Sequence, residues 1–185
     1  MVSVGSSEDR ARFAPYLLAD EKLKWVGRPG QGLAVTAIDA LLIPFSIFWC
    51  GFIVVWIYIA AQHSLEFALF AIPFVLMGLF LLIGRFLIDA WMRSNIFYAV
   101  TDQRALVLRG VFGTSVSSYD VGPGQNMHLK LSEKSIGTIV FGETSPFAGF
   151  GNFDLSKLYL SASAKNKFFR IENVQHVYKL LIENK

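Results

Sequence analysis

Few side chains in this sequence could do chemistry, and their spacing does not set them to work together. His63, His128 and His176 could ligate a metal or move a proton, but they lie far apart in the chain. Cys50 is the only cysteine, so no intramolecular disulfide and no paired-thiolate metal site can form. No H-E-x-x-H and no phosphate-binding P-loop is present. Gly149-Phe-Gly-Asn lacks the following glycine and the strand-to-helix setting of a dinucleotide site. No serine stands in a G-x-S-x-G elbow. The expectation is a protein that is not an enzyme and carries no cofactor and no metal.

Binding chemistry is better represented. Phe147, Phe150 and Phe153 recur every three residues between glycines and a proline in the stretch 144–154. Their rings either meet lipid or a partner's membrane helices, or fold back on the nearest sheet, as apolar rings usually do. Lys130, Lys134, Lys165, Lys167 and Arg170 form a basic set. Grouped beside a membrane, each would add about 1 kcal/mol of attraction to anionic lipid; scattered, they are a solvated face. Arg85, Asp89 and Arg93 are spaced i, i+4, i+8 and share one helix face. With Asp39 they could line an ion path. The reading preferred here is interfacial charges that satisfy one another, since none falls at the middle of a predicted span.

The elements that must carry these residues are dominated by two apolar runs. Ala40 to Ala61 has no charged residue, and neither has Phe67 to Gly84. A bilayer core needs about 20 apolar residues per helix, so the pair predicts a transmembrane helical hairpin. The whole chain is 54% hydrophobic, with the excess in these runs. The spans are placed at about 40–61 and 67–86, with the second helix extending to about 93. The loop Gln62–Glu66 has no Lys or Arg, whereas both flanks do. The positive-inside bias therefore puts both termini of this multi-pass protein in the cytoplasm and the short loop outside. Cys50, inside the first run, is expected to be a small packing residue.

Residues 1–15 are polar and small, without the apolar stretch of a cleavable signal, and are expected to be disordered. Residues 16–39 are read as a cytoplasmic or interfacial segment. In it Trp25 would sit at headgroup depth with Lys22, Lys24 and Arg28 facing phosphates. The competing reading is a strand or short helix packed on the folded domain. Pro29-Gly30-Gln31-Gly32 is a turn.

After Ser94 the pattern changes to short alternating segments. Strands are predicted at 95–101, 104–109, 111–121, 127–131, 137–142 and 167–171, with a weaker one at 158–160. Asn173 would then cap an amphipathic helix bearing Val174, Val177 and Leu181. The fold class is α+β: a hairpin of membrane helices over residues 40–94, then a curved sheet or partly open barrel over 95–185. Its last helix covers the open end of the barrel. Residues 85–185 hold twelve Lys and Arg against eight Asp and Glu. That is too dilute for nucleic acid, which wants clustered cations.

The stretches Glu21-Lys-Leu-Lys-Trp-Val-Gly-Arg-Pro29, Tyr98-Ala-Val-Thr-Asp-Gln-Arg-Ala-Leu106 and Phe169-Arg-Ile-Glu-Asn-Val-Gln-His-Val-Tyr178 flank and follow the hairpin. In this order they resemble the bacterial PH-like membrane proteins, in which a pleckstrin-homology-like domain accompanies a transmembrane hairpin. The resemblance implies a seven-stranded barrel-like sandwich closed by a C-terminal helix, and no defined enzymatic activity. It implies a bacterial inner membrane and partners in a membrane protein complex, since some similar proteins act as accessory or assembly factors. Tyr98, Thr101, Asp102 and Arg104 form its most specific motif and are read as a structural turn, with Arg104 pairing with Asp102 or reaching lipid phosphate. The partners expected are therefore membrane lipid and either a membrane complex or a second copy of the chain. No G-x-x-x-G pattern argues for the latter.

Overall fold

The computed structural model describes residues 6–35, 38–110, 113–122, 125–132, 135–142 and 166–183. The chain divides into two compact units. One is Leu33–Ala90; the other joins Met1–Gly32 to Trp91–Lys185.

The first unit is a pair of apolar helices. Helix α2 runs Asp39–His63 and helix α3 runs Leu65–Ser94. Both are long and apolar enough to cross a membrane, and only 11% of each apolar window is buried inside the protein. Ser64 makes the reversal between them. It is extended, its N–H bonds Ala60, and its hydroxyl accepts from Phe67 N–H to start α3. Pro73 cannot donate to the preceding turn, and α3 is interrupted at Phe70–Ala71 just before it. A π-helical stretch, Phe80–Gly84, follows and delivers Arg85. The helices approach closely at Gly78: a Cβ there would lie 2.9 Å from Cys50 Sγ and 3.1 Å from Trp49 Cδ1. Cys50 thus packs as a small residue against a helix position that has no side chain.

The second unit contains two antiparallel sheets. Strands β1 (Leu23–Gly27), β2 (Ile96–Thr101), β3 (Arg104–Arg109) and β4 (Ser115–Asp120) form one, in that order. Strands β5 (Met127–Leu131), β6 (Gly137–Phe141) and β7 (Lys167–Ile171) form the other. Helix α4 (Val174–Ile182) closes the chain. The alternating residues Trp25, Tyr98, Val100, Ala105 and Val107 of the first sheet meet Ile139, Phe141, Phe168 and Ile171 of the second. Val174, Val177 and Leu181 of α4 complete this core. Tyr98 and Phe168 stack at 4.7 Å between centroids, and Phe141 meets Phe168 edge-on. The other face of the first sheet is covered too: Val26, Phe97, Ala99, Leu106 and Leu108 pack with Phe13. That is why β2, Ile-Phe-Tyr-Ala-Val-Thr, is buried at every position.

Four expectations need correction. The predicted domain start at 95 omits β1, which pairs with β2 as Val26 with Ala99 and Gly27 with Tyr98. The apolar helices are therefore inserted between two neighbouring strands of one sheet. Of the two readings of 16–39, the packed strand holds: Trp25 is in the core and 5% exposed. Residues 6–15 are not formless. Helix α1 (Ser7–Ala11) is capped by Ser6 Oγ, and Phe13 is fully buried. Asn173 does occupy the start of α4, but in a left-handed conformation with no side-chain cap; the first N–H there goes to Ser135 O. The weak strand predicted at 158–160 lies outside the described residues.

Candidate functional site

The most specific sequence motif turns out to be a joint. The β2–β3 reversal at Asp102-Gln103 presents Thr101, Asp102 and Arg104 to the segment that precedes β1. Asp102 Oδ1 accepts from Lys22 N–H at 2.9 Å, and Asp102 N–H donates to Lys22 O at 3.1 Å. Arg104 donates Nε and Nη2 to the two carboxylate oxygens of Glu21, at 2.9 and 3.0 Å. Arg104 also binds Tyr16 O at 3.0 Å. Thr101 Oγ1 donates to Glu21 Oε1 at 2.7 Å, and Leu18 N–H reaches Oε2 at 2.7 Å. The Glu21 side chain is wholly buried. The Arg104 fork, helped by the Leu18 and Thr101 bonds and opposed by burial, holds its carboxyl down at about 2. Arg104 therefore pairs with Glu21 and not with Asp102. Tyr98 accepts from Phe169 N–H at 3.2 Å, tying the two sheets together, and burial pushes its phenol up to about 12. Sequence reasoning missed Glu21 because its partners lie about 80 positions away.

A polar cleft of about 490 Å³ opens beside the exit of β1. Its walls include Asp9, Trp25, Arg28, Gln31, Arg170 and Glu172. Asp9 takes Nε and Nη2 of Arg28 at 3.2 and 2.6 Å. Burial pushes the Asp9 carboxyl up, but the Arg28 bonds outweigh it and leave the group below its ordinary value. The Arg28 guanidinium also covers the Phe97 ring at 4.6 Å. Arg93, 1% exposed, donates to the carbonyls of Gly30 and Gly32 and so holds the end of the cleft wall.

The apolar helices carry two features of their own. Asp39 and Arg85 form an ion pair that is almost wholly buried, with Arg85 Nε on Leu81 O at 2.8 Å. Arg85 Nη2 is buried without a hydrogen-bond partner. Asp39 thus finds its cation on the neighbouring helix. Nearby on the same unit, Trp49, Phe52, Ile53, Trp56, Phe70 and Phe74 line an apolar groove of about 230 Å³.

The predicted binding residues separate. Lys130 and Lys167 share the outer face of the second sheet; burial, then repulsion from Lys130, lowers the pKa of Lys167. Arg170 instead lines the polar cleft. Lys134, Lys165, Phe147, Phe150 and Phe153 lie outside the described residues. His63, His128 and His176 are each exposed. Arg109, at the rim of the inter-sheet core, has Nε and Nη2 buried without partners, and burial pushes its pKa down. Compared with family models, with curated proteins and with solved structures, the chain matches none.

Proposed function

We propose that this is a non-enzymatic integral membrane protein whose apolar hairpin anchors a PH-like domain. In this reading the protein is an accessory or assembly subunit of a membrane complex. It resides in a bacterial inner membrane with both termini in the cytoplasm, as the Lys and Arg distribution favours. Seven strands in a four-plus-three arrangement, with a final helix over the core, agree with the sandwich that the family resemblance implies.

The observation that carries the reading is the aromatic groove of Trp49, Phe52, Ile53, Trp56, Phe70 and Phe74 on a helix pair that buries little of its own surface. Between membrane helices there is no hydrophobic driving force, so association depends on shape and van der Waals packing. A rigid aromatic recess supplies such shape. A second reading, attraction to anionic lipid, is favoured by Lys130 and Lys167 on one face.

The test is isolation of the tagged full chain from native membranes in mild detergent. Stoichiometric recovery of one membrane complex is expected. A Phe52→Ala/Phe74→Ala variant that still inserts should lose it. A chain that purifies alone, or a partner indifferent to the variant, would sink the subunit reading. Salt-sensitive binding to anionic vesicles, lost in Lys130→Ala/Lys167→Ala, would then favour the second.

A further inference from the structure

The residue that reaches furthest beyond this reading is Arg170. Strand β7 is bulged: Gly137 faces Ile171 and Ile139 faces Phe168, so Phe169 and Arg170 together oppose Thr138. Arg170 is the residue that absorbs the bulge, with φ of +44°. Left-handed bulge positions belong by default to glycine, and any side chain there is strained. Its backbone is held on both sides, N–H to Thr138 Oγ1 at 3.2 Å and O from Gly30 N–H at 3.0 Å. The side chain lines the polar cleft, as does that of Glu172 two residues on. Neither charged end has a hydrogen-bond or ion-pair partner among the described residues. A strained arginine and an unpaired glutamate in the lining of one cleft are an arrangement for recognition, since packing alone would be better served by glycine.

The charges name the ligand class. Arg28, Arg170, Asp9 and Glu172 all line the cleft, and Arg28 is already bonded to Asp9. A simple anion would meet Glu172, and a simple cation would meet Arg170. A zwitterion meets both. The wall Gly27–Gln31 lies only a few residues before the first apolar helix, and Arg93 at the end of the second binds two carbonyls of that neck. If the hairpin spans a bilayer, which is the reading above and on which this inference rests, the chain that leaves this wall runs directly into the membrane.

We propose that this cleft takes a phosphoethanolamine headgroup, with its phosphate on Arg170 and the free Nη1 of Arg28, and its ammonium on Glu172. The phosphate fits because guanidinium donors match its oxygens. A primary ammonium donates hydrogen bonds to Glu172; the trimethylammonium of phosphocholine cannot.

The experiment measures binding of short-chain phosphatidylethanolamine, phosphatidylcholine and phosphatidylglycerol, and of free phosphoethanolamine, to the detergent-solubilised full chain by native mass spectrometry. Phosphatidylethanolamine should bind best. Glu172→Gln should erase its preference over phosphatidylglycerol, and Arg170→Ala should weaken it about tenfold, the worth of one charged hydrogen bond. Arg170→Gly is the sharper variant: it suits the left-handed backbone, so it should melt no lower than the parent while showing the same roughly tenfold loss of headgroup affinity. Free phosphoethanolamine binding as tightly as the lipid would keep the site and move its ligand to solution. Phosphatidylglycerol binding as well as phosphatidylethanolamine, no binding of either, or unchanged affinity in Arg170→Gly would overturn the proposal. Carbonate extraction of the same membranes tests the anchoring separately. Failure to bind in a chain that resists extraction counts against the cleft alone. Neither Arg170 variant touches the aromatic groove, so recovery of a partner complex is read independently.

Discussion

Both units of this protein bury a carboxylate against a guanidinium, and they do so differently. In the β domain, Glu21 receives four hydrogen bonds, two from Arg104 and one each from Thr101 and Leu18. These tie together the segment before β1 and the β2–β3 turn. In the helix pair, Asp39 meets Arg85 with both ends almost wholly buried, and Arg85 Nη2 is left without a hydrogen-bond partner. The first pair is a fully satisfied network and specifies one arrangement of strands. The second joins two helices that otherwise meet through apolar side chains and one indole N–H, Trp49 on Phe74 O. Satisfied networks gain from low dielectric, whereas an orphan N–H in the same surroundings is costly. The two pairs should therefore respond differently when broken.

The largest effect is expected at Glu21. Glu21→Ala leaves the Arg104 charge without its counter-ion and should cost about 3–5 kcal/mol in chemical denaturation followed by near-UV circular dichroism. A loss under 1 kcal/mol would mean that the joint is ornamental. The same residue sets an acid limb. Its carboxyl is held at about 2, below the ordinary value of 4.5, so it contributes full stability above pH 4.5. That contribution should fade as pH drops from 4.5 toward about 2, and Glu21→Gln should flatten this part of the curve.

A smaller effect is expected in the helix pair, where a double-mutant cycle is the right tool. Asp39→Asn and Arg85→Met should each destabilise, and the double variant should recover part of the loss. The coupling expected is about 1–2 kcal/mol, in line with polar contacts between membrane helices. Additive single losses would show that the pair is incidental. The smallest effect is expected at Arg28. Its side chain is 44% exposed, and its bond to Asp9 is screened by water. Arg28→Ala should cost under about 1 kcal/mol. A large loss would place this pair with Glu21–Arg104 as part of the joint.

The sequence by itself determined the elements. Two long uncharged apolar runs predict long helices, and the short alternating segments after Ser94 predict strands. Six of the seven strands and the last helix stand close to where periodicity puts them. The two-residue reversal at Asp102-Gln103 was legible because turn residues act through their own backbone. What only the tertiary structure decided was partnership. Leu23–Gly27 reads from sequence as either an interfacial segment or a packed strand; pairing with a segment about 70 residues later makes it the strand. Phe13 looked like part of a loose tail until a sheet face was there to receive it. Glu21 looked like one solvated acid among many until Arg104 and Thr101 closed over it. Arg170 looked like one cation in a basic set until the bulge turned it away from Lys130 and Lys167 into a different cleft. Each of these outcomes depends on contacts across long stretches of chain, which local propensity does not encode. Apolar periodicity is written residue by residue, but the position of a buried charge is decided by what folds against it.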